Sequence, residues 1–296
     1  MGQNVNPSFI APQAKKDCIP SRRVVDQLDS NSHEQRPFNK VKSFFFCAVL
    51  LLTALCSGVA ADQPRVLVYT KNQVGPKLYV HDNIAASVTA LKKLGAENHF
   101  DVVVSEEPAD FTTANLQRFK VIVFDNSNNE ILDTEEQKAA LRHFVEAGGG
   151  IVGLHSASGA MRQWPWFWEM MGGKFARHPK MQTFTIKVKD PHNPSTAHLP
   201  ASFPWTDECY FLTNMPADLH ILLAGDLSTL DDPLKDKFKN PKYGHEIPLC
   251  WCHQFDGGRE WYTALGHQKE HYADPVFAQH LLGGILWAMG ETEVKH

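Results

Sequence analysis

The sequence of 296 residues has no excess of basic residues. Lysine and arginine together number 29, against 33 aspartates and glutamates, and the formal net charge is −4. The basic residues form no stripe along the chain, so the electrostatic footprint of a nucleic-acid-binding protein is missing. With 43% hydrophobic and 21% charged residues, the composition is that of an ordinary globular protein. We therefore expect a chain that buries a full core and binds no nucleic acid.

The N-terminal region also lacks an apolar run of about 20 residues, the length that a bilayer-spanning helix needs. Its apolar run, 44–55, follows Lys40 and Lys42, and small residues follow it before Asp62. A basic start, a short apolar stretch and small residues before a polar one are typical of a secretory signal peptide. We predict a signal peptide over residues 41–61, with a membrane anchor as the alternative. The predicted location is the periplasm or the outside of the cell.

Residues 1–40 differ from the rest of the chain. They are polar, rich in Pro, Ser, Asn and Gln, and show no apolar periodicity, which predicts a disordered extension. Because signal peptides normally begin at the N-terminus, we hypothesise that translation starts at Val41 from an alternative start codon. Residues 1–40 would then be an artefact of start-site assignment, and an intact Met1 in the unprocessed protein would contradict this.

Cysteine is scarce and has no metal-binding pattern. Removal of residues 1–61 leaves three of the six cysteines, Cys209, Cys250 and Cys252. A zinc signature needs a second close pair, which the sequence lacks. Export implies an oxidising compartment, but adjacent positions on one strand face seldom bridge one another. We expect buried free thiols, with a disulfide from Cys209 to either of the others as the alternative.

The sequence does contain an alternation of apolar strands and amphipathic helices. Strands are predicted at 65–69, 101–104, 121–124 and 151–154, and helices at 84–94, 116–119 and 134–145, with Gly95 as a C-cap. This order predicts an α/β fold with a mainly parallel sheet, covered on both faces and joined by right-handed crossovers. Alternation over 181–188 predicts an antiparallel extension. Further strands follow at 219–224, 248–251 and 260–265, and a helix at 275–289 closes a single domain, 62–296.

The strongest candidate for a catalytic residue directly follows the strand at 151–154. Three glycines precede this strand, and it ends at His155 followed by small residues. This order predicts a buried strand, a sharp turn carrying His155 and then a helix, and ligands bind beyond such strand ends. A simple acyl-enzyme is excluded unless Ser156 is the nucleophile. Histidine suits acid/base catalysis or metal ligation, whereas a structural, hydrogen-bonded histidine is the alternative.

Further candidates lie near other strand ends. Adjacent carboxylates on a strand point in opposite directions, so at most one of Asp207 and Glu208 faces a pocket, where Glu208 would be a base or a metal ligand. His267 follows the strand 260–265, and in a helical segment it would share a face with His271 at a spacing that holds a metal. Two surface histidines are the alternative. His81 and His178 lie in loops that can join the same rim.

These motifs together resemble the ThuA-like (trehalose utilisation) proteins over residues 65–290. The resemblance is carried by His81-Asp82, Gly-Gly-Gly-Ile-Val-Gly-Leu-His-Ser-Ala at 148–157, Phe-Ala-Arg-His-Pro at 175–179, Asp-Pro-His-Asn-Pro-Ser-Thr at 190–196, Asp207-Glu208 and Tyr-Thr-Ala-Leu-Gly-His at 262–267. The segment 126–129, Asn-Ser-Asn-Asn, departs from the more apolar or Thr-rich segment expected there. This departure bears on the particular sugar rather than on the fold.

The resemblance implies a flavodoxin-like, class I glutamine amidotransferase-like three-layer sandwich. It places His155 where amidotransferases have their nucleophilic cysteine, so glutaminase activity is not expected. The family is linked to disaccharide metabolism, including routes through 3-keto sugars, and often occurs beside sugar oxidoreductases and keto-glycoside hydrolases. A small sugar ligand and such oxidoreductases as pathway partners are therefore implied. Neither the residues nor the resemblance indicates a cofactor or an oligomeric state.

Our leading hypothesis is a carbohydrate-active protein that acts on a glycoside or a keto sugar. His155 is the central acid/base or ligand group, assisted by Glu208 and His267. The predicted binding rim consists of His81, Asp82, Asn126, Ser156, His178 and Tyr210, with the tryptophans of 164–168 as an aromatic wall. One alternative is a non-catalytic sugar-binding accessory protein. The other is a metal-dependent hydrolase that uses some of His155, His178, His267 and His271 with Glu208.

Overall fold

The computed structural model describes residues 63–238 and 240–291. The predicted N-terminal extension and signal peptide lie outside the described residues. The first half contains β1 (Arg65–Tyr69), α1 (Ile84–Glu97), β2 (Asp101–Ser105), α2 (Thr113–Leu116), β3 (Val121–Asp125), α3 (Glu135–Glu146) and β4 (Gly150–Leu154). The second half contains α4 (Pro165–Met170), β5 (Lys174–Arg177), β6 (Gln182–Val188), β7 (Ser202–Asp207), β8 (Phe211–Thr213), β9 (His220–Asp226), β10 (Glu246–Phe255), β11 (Gly258–Thr263) and α5 (Pro275–Met289).

Nine strands form one sheet in the order β2-β1-β3-β4-β11-β10-β9-β6-β7. The strands from β2 to β11 pair in parallel, and those from β11 through β7 pair antiparallel. The predicted α/β fold with parallel strands in its core and an antiparallel extension is therefore confirmed. A separate antiparallel pair joins β5 to β8.

The parallel strands at the centre of the sheet are buried on both faces. Every residue of β3 and β4 is buried, as expected for strands covered on both faces. Helix α1 packs against α5, and α2 packs against α3. At α3, Thr134 and Gln137 form a reciprocal capping box that fixes the start of the helix.

Two local predictions were wrong. Gly95 is not a C-cap, because α1 continues to Glu97. A Cβ at Gly95 would lie 2.6 Å from the carbonyl oxygen of Phe100, so this glycine permits the close approach of α1 to the start of β2. The short helix predicted at 116–119 is instead α2, which begins three residues earlier because Thr112 accepts a hydrogen bond from the amide of Asn115.

The expectation for the cysteines holds in the structure. Cys209, Cys250 and Cys252 are buried and free. Burial raises the pKa of the Cys252 thiol to about 12, so the neutral form dominates near pH 7. Within the described part of the chain, no helix combines the length and the apolar character needed to cross a membrane.

Candidate active site

The site is built at the end of β4, which lies between β3 and β11. His155 follows this strand directly, with a φ of +48°. A positive φ is uncommon for residues other than glycine and is often found at functional sites. The segment is a short 3₁₀ helix, His155–Gly159, so the helix predicted after the strand begins at His155 itself and has 3₁₀ form. This 3₁₀ helix ends at Gly159, because Ala160 has an extended backbone conformation with φ and ψ of −82° and 161°.

Hydrogen bonds fix both the tautomer and the direction of the His155 ring. Its Nδ1 lies 2.7 Å from the carbonyl oxygen of Ala264, which can only accept, so Nδ1 carries the proton. The other nitrogen, Nε2, lies 2.8 Å from the hydroxyl of Tyr210, which donates to it. Tyr262 donates to the carbonyl oxygen of His155 and accepts from Ser158. The buried ring is therefore held from both sides.

Glu208 lies among three histidines. Its Oε2 is 3.5 Å from Nε2 of His155 and 3.3 Å from Nδ1 of His267, and its Oε1 is 3.4 Å from Nδ1 of His178. The neighbouring Asp207 is turned away and accepts from the backbone amides of Gly266 and His267. Of these adjacent carboxylates, one faces the site and the other fixes the loop that carries His267.

The charges of this cluster are set by burial and by its neighbours. Burial lowers the pKa of His81 to about 2, and the nearby histidines add to this effect. Burial likewise lowers the pKa of His267, partly offset by Glu208. Burial raises the pKa of Glu208, but its contacts with His155 and His178 outweigh burial and hold the pKa below its usual value. Near pH 7 the cluster therefore combines an ionised carboxylate with neutral His81 and His267.

A cavity of about 710 Å³ lies beside the site, and its lining includes Glu208, Tyr210 and His267, which contact the buried His155. It is lined by Lys77, Leu78, Tyr79, His81, Asn128, Asn129, Ser156, Gly159, Arg162, Phe175, His178, Glu208, Tyr210 and His267. Several buried polar atoms of this lining make no hydrogen bond within the protein: Nδ1 of His81, Nδ2 of Asn129, Oγ of Ser156 and Nε of Arg162. Buried polar groups are usually paired, so these atoms are suited to binding a polar ligand.

Most of the predicted site residues converge on this cavity. His81, Ser156, His178, Glu208, Tyr210 and His267 line it. His155 is fully buried and does not line the cavity, but its Nε2 contacts Glu208, Tyr210 and His267. Asp82 does not line it: its side chain is exposed, and Asn83 is the buried residue at the start of α1. Asn126 is also displaced from the predicted rim, because its amide group is fully buried in hydrogen bonds with Asp125, Tyr272 and Asn83.

Two further predictions need correction. His271 lies apart from His267, and its Nε2 is 3.1 Å from the carbonyl oxygen of Thr206. The tryptophans of 164–168 do not line the cavity. Trp164 instead stacks on Trp166 with ring centroids 5.0 Å apart, beneath the guanidinium of Arg142. The aromatic side chains at the cavity are Tyr79, Phe175 and Tyr210.

The sequence reasoning missed several lining residues. Asn128 and Asn129 follow the end of β3, beside the end of β4, and this polar run after a strand was the available signal. Arg162 lies in the loop after the 3₁₀ turn, and Tyr79 lies in the loop between β1 and α1. The conformation of these loops brings the two side chains to the cavity. That conformation cannot be predicted from the periodicity of the sequence.

Four groups of the cluster can approach a metal ion together. One ligand atom from each of His81, His155, Glu208 and His267 lies within 4.8 Å of the other three. Neither His178 nor His271 belongs to this set. The cluster therefore offers two kinds of chemistry, proton transfer through Glu208 and its histidines, or ligation of a cation.

The parallel strands at the centre of the sheet and the site beyond the end of β4 define an open α/β fold that binds its ligand at the carboxyl ends of the strands. The sequence matches the family model of ThuA, described as trehalose utilisation, over residues 65–288, and the chain belongs to this family. A ThuA-like protein from Bacteroides uniformis is 25% identical, with a TM-score of 0.61 over 77% of this chain and 93% of that one. A ThuA-like protein from Parabacteroides merdae is 19% identical, with a TM-score of 0.58 over 79% of this chain and 92% of that one. A comparison with curated proteins gives no match.

Proposed function

We propose that this ThuA-family protein is exported and acts on a disaccharide or a keto-glycoside bound above His155. In this proposal His155 stands at the position of the amidotransferase nucleophile, and glutamine is not a substrate. The observation that carries the proposal is that Glu208 and His267 line a polar cavity and both contact the buried His155. Acid and base groups at the floor of a cavity are the arrangement that proton-transfer chemistry requires.

The cavity lining supports a sugar as the ligand. A sugar presents many hydroxyl groups, which need several converging polar partners and an apolar surface for the ring. The unpaired atoms of Ser156, Asn129 and Arg162 supply partners of this kind. Phe175 and Tyr210 supply aromatic surface, with ring centroids 4.6 Å apart. At about 710 Å³, the cavity lies within the usual range for small-molecule sites.

The protonation states assign roles within the cluster. Glu208 is the acceptor of a proton from a sugar hydroxyl or from a carbon next to a keto group, because its carboxylate is ionised near neutral pH. Neutral His267, 3.3 Å from Glu208, is the second group able to pass on that proton. His155 positions the hydroxyl of Tyr210 and contacts the same carboxylate. A positioned general base of this kind contributes roughly 100- to 10,000-fold to a rate.

Thermal melting of the full chain with disaccharides, their 3-keto derivatives and glutamine tests the proposal. Ligands that bind the native state raise the melting temperature. A sugar that stabilises the protein and is turned over, with turnover lost in Glu208→Gln, supports an enzyme. Stabilisation without turnover favours the sugar-binding accessory protein instead. Stabilisation by none of the sugars would overturn the carbohydrate proposal.

The export step has its own test. Cell fractionation followed by N-terminal sequencing is expected to give a mature chain that begins near Asp62 in the extracytoplasmic fraction. A cytoplasmic protein that retains residues 41–61 would contradict export and leave the proposed chemistry unaffected.

A further inference from the structure

We infer that His155, His267 and Glu208 form a binding site for a divalent transition-metal ion, with His81 as the fourth group around it. The three ligand atoms form a nearly equilateral triangle. Nε2 of His155 lies 3.3 Å from Nδ1 of His267, and Oε2 of Glu208 lies 3.3 Å from His267 and 3.5 Å from His155. The ligand atom of His81 lies within 4.8 Å of all three.

These distances fit a shared ion better than they fit hydrogen bonds. Hydrogen bonds from nitrogen usually span about 2.7–3.2 Å, which is shorter than any side of the triangle. A tetrahedral zinc ion with bonds of about 2.0–2.1 Å separates its ligand atoms by about 3.3–3.4 Å. The three side chains are therefore spaced as neighbours in the coordination shell of one ion.

The groups around the triangle prepare it for ligation. Nδ1 of His155 donates a hydrogen bond to the carbonyl oxygen of Ala264, so Nε2 carries the lone pair on the side of the ring where Tyr210, Glu208 and His267 lie. Metal-binding histidines commonly have such an outer partner, which fixes the tautomer and the ring orientation. Asp207 holds the loop that carries His267, because its carboxylate accepts from the amide of Gly266 over 2.8 Å and from the amide of His267 over 3.3 Å.

His81 provides a second, independent observation. Its side chain is 94% buried, as its exposed fraction is 6%, and its Nδ1 makes no hydrogen bond within the protein. Its ring packs edge-on against both His155 and His267, with centroids 4.8 Å and 5.3 Å away. A buried polar atom without a partner is costly. A cation at the triangle would give the buried His81 ring a polar partner.

Other histidines near the site do not fit the same ion. Nδ1 of His178 lies 2.8 Å from the carbonyl oxygen of Pro179 and faces the opposite oxygen of Glu208. His271 is engaged with Thr206. The ligand set is thus two imidazoles and one carboxylate with His81 nearby, a donor set that suits zinc and similar ions rather than Mg²⁺.

The hydroxyl of Tyr210 competes with the ion for Nε2 of His155. The hydroxyl donates to this nitrogen over 2.8 Å, so a metal must displace this hydrogen bond. Tyr210→Phe removes the competitor without removing a ligand. We expect this variant to bind the ion at least as tightly as the unmodified chain.

The inference rests on the proposed function for the identity of the sugar and revises the roles given there. With an ion bound, Glu208 and His267 would be its ligands, and an oxygen of the proposed sugar would be a further ligand. Metal binding itself does not depend on that proposal. A chain that responds to a sugar but binds no zinc overturns the metal site alone. A chain that binds zinc at this site and responds to no sugar overturns the proposed function alone.

The test is a zinc titration of the full chain after removal of metals with a chelator, followed by calorimetry against a competing chelator and by elemental analysis. The variants are Glu208→Gln and His267→Ala, and the control is His143→Ala, an exposed histidine of α3. We expect a zinc site of sub-micromolar dissociation constant, weakened at least about 100-fold in both ligand variants and unchanged in the control. Mg²⁺ is expected not to compete.

Two results would overturn the inference. One is a chain that takes up no zinc under these conditions. The other is zinc binding that Glu208→Gln and His267→Ala leave as tight as it is in His143→Ala. Glu208→Gln keeps the size of the side chain, and circular dichroism of each variant separates loss of a ligand from loss of the fold.

Discussion

Nδ1 of His155 lies 2.7 Å from the carbonyl oxygen of Ala264, and this contact joins the ends of two central strands. His155 follows β4 and Ala264 follows β11, two parallel neighbours in which Leu154 is paired with Thr263. The register of the sheet therefore sets which ring nitrogen faces the cavity. His267 lies three residues beyond Ala264, in a loop whose backbone amides are held by Asp207.

The first prediction concerns the carboxylate of Glu208. Glu208→Gln keeps the shape of the side chain but cannot accept a proton, so turnover of the sugar should fall by roughly 100- to 10,000-fold. Steady-state kinetics and melting curves measure the two effects separately. The matched control is Asp82→Asn, whose side chain is exposed and outside the cavity, and its turnover should be unchanged. Equal losses in both variants would contradict the assigned role.

A second prediction compares two serines of the same 3₁₀ turn. The hydroxyl of Ser156 is buried, lines the cavity and makes no hydrogen bond within the protein. Ser156→Ala should therefore leave the melting temperature unchanged or raise it, while sugar binding weakens by roughly 1 kcal/mol, about fivefold. Ser158→Ala removes a hydrogen bond to Tyr262 and should destabilise the protein by about 1 kcal/mol. Lowered stability in Ser156→Ala would show that its hydroxyl has a structural partner.

The sequence carried enough information to predict the sheet and the position of His155. Apolar runs of strand length separated by helical periodicity indicate a parallel sheet, and the strand after three glycines ends in a single polar residue. The loops beyond the strands were harder to predict. The turn after β3 is left-handed at two positions, because Asn126 and Asn129 have φ values of +51° and +61°. This turn buries Asn126 and directs Asn129 into the cavity, a result that spacing along the sequence does not encode.

The same limit applies to the tryptophans and to α1. The sequence of an aromatic cluster is equally consistent with core packing and with a sugar-binding site. In the structure Trp164 packs against Arg142 and not at the cavity. At α1, the buried position falls on Asn83, which donates to the carbonyl oxygen of Gly266, rather than on Asp82. A shift of one residue at a helix start exchanges an inward side chain for an exposed one.

A third prediction concerns stability at acidic pH. Burial lowers the pKa of His280 to about 4, from an ordinary value of 6.5 in the unfolded chain. Between these values the unfolded chain binds more protons, so the free energy of unfolding should fall as the pH drops from about 6.5 to about 4. The contribution is at most roughly 3 kcal/mol and is fully present above pH 6.5. Denaturant titrations at several pH values measure it.

The control for this prediction is His280→Gln, which removes the titrating group. Nδ1 of His280 donates to the carbonyl oxygen of Ser195 over 2.7 Å, and a glutamine amide can also donate there. The variant should show a shallower dependence of unfolding free energy on pH in the same window. Identical slopes in the two proteins would mean that other groups cause the acid sensitivity.

The last prediction tests the strand that carries His155. A Cβ at Gly150 would lie 2.4 Å from the carbonyl oxygen of Ala288 in α5 and 2.9 Å from a methyl group of Val121. Backbone cannot yield as a side-chain end does, so Gly150→Ala should destabilise the protein by about 1–3 kcal/mol. Gly75→Ala is the control, because its nearest neighbour is the side chain of Leu78 at 3.3 Å. Since a shift of β4 also moves His155 relative to Ala264, Gly150→Ala should lower turnover as well as the melting temperature. A stable variant with unchanged kinetics would show that α5 and β4 separate easily and that their contact does not position the site.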